Sequence, residues 1–313
     1  MIASTDLRGS ILGILLEARG WFHPLLWVGL VLALMLPGCG RRPEVIRVSG
    51  AWALYPLMVK WAEVYNQQHP GTRVEVSAGG AGKGMTDCLS GLVDIAMVSR
   101  DLRREELNRG AYPMPVVRDA VFAVISVGNP SAEAILRTGF GRQVLQDLFL
   151  RGKGQPYTRS DACGAAETWA AFLGARQEDL KGIGVYGDPG IAAALRRDPR
   201  GVGYNNLAFA FDLRTGLPLQ GLAVVSLDVD GNGKVDPSED VSSREKAVAA
   251  IREGHYPSPP ARDILLVTRG RANPATSAFL RWIFTEGQAL VDAAGFVPVR
   301  EDQRRQVLAL LDR

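Results

Sequence analysis

From residue 44 onward the chain alternates short apolar runs with amphipathic stretches. VIRVS (45–49) reads as a buried strand and GAWA as a tight turn of small residues. YPLMVKWAEVYNQQ follows as a helix, because Leu57, Trp61 and Tyr65 recur four apart on one face. His69-Pro70-Gly71 ends that helix, TRVEVS alternates as a second strand, GGAGKG makes a glycine turn, MTDCLSGLV is a short helix and DIAMVS a buried strand. This repeating βαβαβ pattern predicts an α/β fold. PVVRDAVFAVISVGNP (115–130) is a long apolar strand ending at Asn-Pro, and ARDILLVTRG (261–270) is its counterpart. Between them lie QVLQDLFL, ETWAAFLG, GVGYNNLAFAFD and SSREKAVAAIREG; after them come FLRWIFTEGQALVDAAG and QRRQVLALLD. A domain inserted between two such strands gives two lobes joined by two crossings. The first lobe is expected to combine residues 45–119 with 262–313, and the second to comprise 120–261. No low-complexity tract or internal repeat interrupts the pattern.

The composition supports substantial cores. The chain has 313 residues, 47% hydrophobic and 22% charged, enough for one large or two medium domains and far from a disordered composition. The net charge of +3 is unchanged without residues 1–38, where Arg8 and Arg19 offset Asp6 and Glu17; it is too mild to argue for nucleic acid. An apolar run from Leu25 to Met35 precedes Leu36-Pro37-Gly38-Cys39 and is too short to span a membrane. Leu-x-Gly-Cys resembles the lipobox of bacterial lipoproteins, although Pro37 replaces the usual small residue. Residues 1–38 are therefore expected to be a signal peptide, Cys39 the lipid-bearing residue, and 39–44 a tether. An uncleaved anchor helix is the alternative, and both place the bulk of the chain outside the cytoplasmic membrane, in the periplasm or at the cell surface. With Cys39 lipidated, only Cys88 and Cys163 remain, too few for a disulfide framework.

Five segments then carry a family resemblance: SGAWALYPLMVKWAEVY, GGAGKGMTDCLSGLVDIAMVSRDL, RSDACGAAETWAAFLG, YPSPPARDILLVTRG and FLRWIFTEGQALVDAAGFVPV. Their order and spacing from Val45 to Val299 resemble phosphate-type periplasmic binding proteins, the substrate receptors of the high-affinity phosphate ABC transporter. The resemblance implies a type II two-lobed periplasmic-binding-protein fold, a monomer that closes around phosphate or a related oxyanion and delivers it to an ABC permease. The same fold holding a different small ligand, and a lipoprotein that binds a partner without transport, remain alternatives.

Such a receptor must replace an anion's water with fixed donors. Unpaired backbone N–H groups at helix starts do so at the positive end of the helix dipole. Three turns offer them: Gly50, Ala51, Trp52 and Ala53; Gly80, Ala81 and Gly82 within the glycine turn 79–84; and Cys163, Gly164 and Ala165. Ordinary loop punctuation is the plainer reading of any one turn. Arg159 matches the family's anion-contacting arginine, with a fork suited to two oxygens, and a surface arginine is its alternative. Ser99 matches a position offering a side-chain oxygen; Arg100 either adds positive field or pairs with a surface acid. Hydroxyls are missing where the family has them: Trp52 and Ala53 occupy the first turn, Ala81 replaces a serine, and Cys163 and Ala165 replace the serine and threonine of a Ser-Gly-Thr turn. Each charge-assisted hydrogen bond lost costs about 1.5–3 kcal/mol. Cys163 at a helix start near an arginine also admits an enzyme using a thiolate, but the three histidines lie in the leader, a helix-ending turn and before Tyr-Pro, so no base is evident. The expectation is a binding protein, not an enzyme.

LDVDGNGKVDPSE adds a separate feature. Asp228, Asp230, Asn232, Asp236 and Glu239 fall at positions 1, 3, 5, 9 and 12 of an EF-hand-type loop, with Gly233 at 6 and the Lys234 carbonyl at 7. A polar Asp-Gly hairpin is the competing reading. A strand, AVVSL, precedes the loop where a sensor would have a helix. Calcium at 228–239 is therefore expected as a structural clip within the second lobe and not as a signal.

Overall fold

A computed structural model describes residues 43–312. The expected signal peptide 1–38, the expected lipid-bearing Cys39 and most of the expected tether 39–44 lie outside the described residues. Among these, no helix is long and apolar enough to cross a membrane.

The chain begins with β1 (Glu44–Gly50), a single 3-10 turn at Trp52–Leu54, and α1 (Tyr55–Gln68), whose Leu57, Trp61 and Tyr65 are buried along one face. β2 (Thr72–Ala78), α2 (Ala81–Leu89) and β3 (Ile95–Val98) complete the first unit. β1 runs parallel to both β2 and β3, so the C-terminal ends of all three strands share one edge. After a short α3 (Arg104–Asn108) comes β4 (Ala111–Ser126), sixteen residues long. Its first part pairs antiparallel with β11 (Ala261–Arg269), and Val121–Ser126 pair with β8 (Gly201–Asn206) and β9 (Leu222–Val225).

Beyond β4 the chain continues through α4 (Ala132–Thr138), β5 (Phe140–Gly141), α5 (Arg142–Phe149), β6 (Gln155–Arg159), α6 (Gly164–Phe172), β7 (Ile183–Val185) and α7 (Gly187–Arg197). A short α8 (Leu207–Ala210) follows β8, and β10 (Leu227–Asp228) leads to α9 (Arg244–Glu253). α10 (Pro274–Phe284), β12 (Val297–Pro298) and α11 (Glu301–Leu311) follow β11. β6 runs parallel to β7 and β8. One mixed sheet results, ordered β2-β1-β3-β11-β4-β8-β6-β7, with β9 and β12 also pairing with β4.

Two separate apolar cores lie along it. One contains Ile46 to Val117 together with Ile264 to Val307; the other gathers Ala120 to Ala261, with Val297 added from the C-terminal segment. The chain passes between them within β4 and at the start of β11, and the two cores define two lobes. β4 starts four residues before the expected strand. Tyr112 and Pro113 pair with Thr268 and Val267, and a register shift at Ile264/Leu265 accommodates Pro115, which lacks an N–H for the ladder.

Candidate functional site

Ligands of open α/β sheets sit beyond the carboxyl ends of parallel strands. Here both lobes turn those ends toward the same place. In the first lobe β1 ends at Gly50 and β3 runs out into Ser99; in the second, β6 ends at Arg159, β7 leads through Tyr186 to Asp188, and β8 ends at Asn206.

The first turn is set by Gly50. Its φ of +138° and a would-be Cβ only 2.2 Å from the Met97 carbonyl oxygen leave no room for another residue. Gly79 and Gly80 both donate backbone N–H groups to the Gly50 carbonyl at 3.0 Å, which ties the first and second turns together. The glycine turn is shorter than the sequence suggests, because α2 already begins at Ala81. Gly82 N–H donates to the Ala162 carbonyl of the second lobe at 3.1 Å. On the other side, a Cβ at Gly164 would stand 2.2 Å from the Ser99 carbonyl oxygen, so Ser99 and the start of α6 are in direct contact. The Cys163 thiol caps α6 by accepting the Ala166 N–H at 3.4 Å, as a serine hydroxyl would. Burial pushes that thiol up to about 12, against the pull of Arg159, so it is protonated near neutrality and a poor nucleophile.

Trp52 forms a wall. Its ring lies 6.0 Å from Tyr55 of its own lobe and 6.0 and 6.3 Å from Tyr186 and Phe209 of the second, edge to face, so it joins aromatics of both lobes. Its buried Nε1–H finds no hydrogen-bond partner among the described residues. Ala51, Ala53, Ala81 and Ala165 are buried around these turns.

Arg159 is buried, not a surface arginine, with 1% of its side chain exposed. Its Nε and Nη2 donate to Asp161 at 2.7 and 2.6 Å, and its Nη1 donates to Asp188 at 2.6 Å. Burial favours the neutral guanidine, but Asp188 and Asp161 together outweigh it and hold Arg159 charged. Three of its five N–H groups are thus engaged, which leaves one each on Nη1 and Nη2. Asp161 also accepts Gly187 N–H at 3.2 Å, and Asp188 accepts the Asn206 N–H and Nδ2 at 2.9 and 2.7 Å. Asn206 Oδ1 receives Arg262 Nη2, and Arg262 donates through Nε to the Ser99 carbonyl at 3.3 Å and faces Asp119 at 3.2 Å. A chain of buried polar groups therefore runs from Asp161 to Asp119. Burial pushes the Asp119 carboxyl up to about 6, with Arg262 opposing.

Asp161 and Asp188 are the residues that sequence reasoning passed over. Asp161 had one signal, its position two residues beyond Arg159; Asp188, inside GDPG, looks like a turn residue. Arg100 pairs with an acid, but a largely buried one: Nη1 and Nη2 donate to Glu106 at 2.9 and 2.6 Å, and its Nε faces Glu167 at 3.3 Å.

In the acidic loop, Asp228, Asp230 and Glu239 can bring one carboxylate oxygen each within 4.8 Å of one another, a spacing that suits one cation. Asp236 faces Lys234 at 2.9 Å and receives Asn232 Nδ2 at 2.7 Å. The loop is attached to the second lobe by β10 pairing with β5 and by Val235 N–H donating to the Arg137 carbonyl at 3.0 Å.

Two lobes with strand ends and helix starts converging between them define a periplasmic-binding-protein fold. The chain belongs to the PBP superfamily, whose domain matches residues 38–287. It is similar to the phosphate-binding protein PstS of Methanocaldococcus jannaschii, 25% identical over 345 residues that cover 85% of this chain and 86% of the relative. It is also similar to the phosphate-binding protein PstS of Bacillus subtilis, 25% identical over 270 residues, covering 82% and 81%. Among solved structures, it resembles one from Clostridium perfringens assigned as a phosphate ABC transporter substrate-binding protein, with bound phosphate. The TM-score is 0.67 at 18% identity, over 82% of this chain and 100% of the other.

Proposed function

We propose that this protein is an extracytoplasmic receptor that captures phosphate, or a related oxyanion, between its lobes and delivers it to an ABC permease. Lipid on Cys39 would hold it at the membrane. The observation that carries this reading is Arg159, whose two remaining N–H groups are held in place by Asp161 and Asp188 where Gly80 and Gly82 of the first lobe meet Asp161 and Ala162 and Trp52 meets Gly187. Preorganised donors of this kind suit an oxyanion. The flanking carboxylates accept hydrogen bonds only, so an oxyanion that keeps a proton, as phosphate does near neutrality, fits better than sulfate. The relatives named as phosphate-binding proteins support the same assignment. A receptor role, not catalysis, also agrees with the protonated, helix-capping state of Cys163. Native mass spectrometry after gentle purification tests the proposal. Retained phosphate supports it, and retention of an uncharged organic solute in its place refutes it.

For the loop 228–239 we propose a structural calcium ion held by Asp228, Asp230 and Glu239, with Asn232, Asp236 and the Lys234 carbonyl completing the shell. The ion would neutralise converging carboxylates and fasten the loop against α4 and β5. It would take no part in the anion site, to which the loop contributes no residue.

A further inference from the structure

A second cleft lies beside the Ser99–Gly164 contact, where the first lobe, α6 and the crossing strands meet. It encloses about 550 Å³, far more than inorganic phosphate fills and within the range of pockets for small organic ligands. Four guanidinium groups reach it from four elements: Arg100 after β3, Arg118 on β4, Arg262 on β11 and Arg300 at the start of α11. Three of them carry a buried N–H that finds no hydrogen-bond partner among the described residues: Arg100 Nε, Arg118 Nε and Arg262 Nη1. Each faces a carboxylate at 3.2–3.3 Å, of Glu167, Asp263 and Asp119 respectively, but outside hydrogen-bond alignment. Buried donors left in this state are costly unless something else completes them. Arg159 takes no part in this cleft.

We propose that this cleft is a binding site for a phosphomonoester of a small polyol, separate from the Arg159 site. Donors that converge from four elements suit the non-coplanar oxygens of a phosphate ester better than the two coplanar oxygens of a carboxylate. The lining also holds Asp101, Glu167 and Asp263, and Glu106, Asp119 and Asp302 pair with Arg100, Arg262 and Arg300, so carboxylate acceptors surround the guanidinium groups. Those acceptors favour a ligand whose remaining groups are hydroxyls. Thr168 and Ser258 add hydroxyls of their own, while Ala171 and Pro259 give an apolar wall for a short carbon chain. The site borders both lobes and a crossing strand, so an occupant would bridge the lobes independently of the anion held at Arg159.

Calorimetry on the full chain in detergent, with glycerol 3-phosphate as the probe, tests this. One equivalent should bind, and binding should persist when inorganic phosphate is present in excess. Arg118→Gln and Arg300→Gln should each weaken it about tenfold or more. Ala171→Phe, at an exposed helix position, should fill the cleft and abolish binding. Glycerol 3-phosphate binding in a protein that shows no heat with inorganic phosphate would still support this site while removing the Arg159 assignment. The proposal is overturned if the probe gives no heat at millimolar concentration, if excess inorganic phosphate displaces it, if Ala171→Phe leaves it intact, or if succinate binds and glycerol 3-phosphate does not.

Discussion

Asp188 is the most demanding point in the polar chain between the lobes, and Asp188→Asn should show it. The native carboxylate has no solvent exposure and accepts three hydrogen bonds, from Arg159 Nη1 at 2.6 Å and from Asn206 N and Nδ2 at 2.9 and 2.7 Å. An amide of the same shape has one acceptor oxygen. Turned either way, it sets an NH2 group against Arg159 or against Asn206, leaving a buried donor facing a donor. One orphaned donor costs about 1–3 kcal/mol, and loss of a charge-assisted bond adds about 1.5–3 kcal/mol. The total agrees with the roughly 3–5 kcal/mol expected for breaking a buried ion pair. Urea denaturation at pH 7 should therefore show a loss of about 3–5 kcal/mol, with no change in the denaturant slope. The same change loosens the Arg159 fork and removes a carboxylate acceptor beside it, so phosphate should bind the folded variant about tenfold more weakly than the native chain. A loss below about 1 kcal/mol, or phosphate binding as tight as in the native chain by a fully folded variant, would refute this account of how Arg159 is held.

Asp119 carries the clearest pH dependence. Its folded pKa of about 6 lies above the ordinary carboxylate value, so its contribution to stability is present below about pH 4 and lost as pH rises through about 6. The stability of Asp119→Asn relative to the native chain should accordingly improve by up to about 3 kcal/mol between pH 4 and pH 7, and a flat difference across denaturation curves would contradict this. Gly164→Ala forces a Cβ to within 2.2 Å of the Ser99 carbonyl in the other lobe, and should cost about 1–3 kcal/mol and hold the lobes apart, read as a larger scattering radius in saturating phosphate. Free calcium should raise the melting temperature by mass action, and Glu239→Gln should abolish the rise; no shift and no bound metal in the native chain would remove the calcium site.

The local elements were legible because each obeys a simple rule. Leu57, Trp61 and Tyr65 mark the buried face of α1, and the glycine turn precedes α2. The long strands at 115 and 261 stand out as apolar runs, and the two cores part within β4 and at the start of β11. What stayed hidden is the pairing of charges across distant segments. Asp188 and Asp161 are written like turn residues, and only the parallel arrangement of β6, β7 and β8 brings both to one guanidinium. Asp119 and Arg262 sit in apolar strands 143 residues apart, and their antiparallel register alone makes them partners. Arg100 stands next to Ser99 in sequence but turns toward Glu106 and the adjoining cleft. Strand alternation allows this reversal, yet periodicity cannot say which face a residue at a strand end will choose.

We propose that Arg159, fixed by two carboxylates between the lobes, binds an oxyanion with its two remaining N–H groups. Calorimetric titration of the native chain and of Arg159→Lys with phosphate and with sulfate tests it most directly, since lysine keeps the charge and loses the fork. The account predicts one equivalent of phosphate bound by the native chain, weaker sulfate, and at least about a tenfold loss of phosphate affinity in Arg159→Lys. Equal phosphate affinity in the two proteins, or no phosphate binding by the native chain, would contradict it.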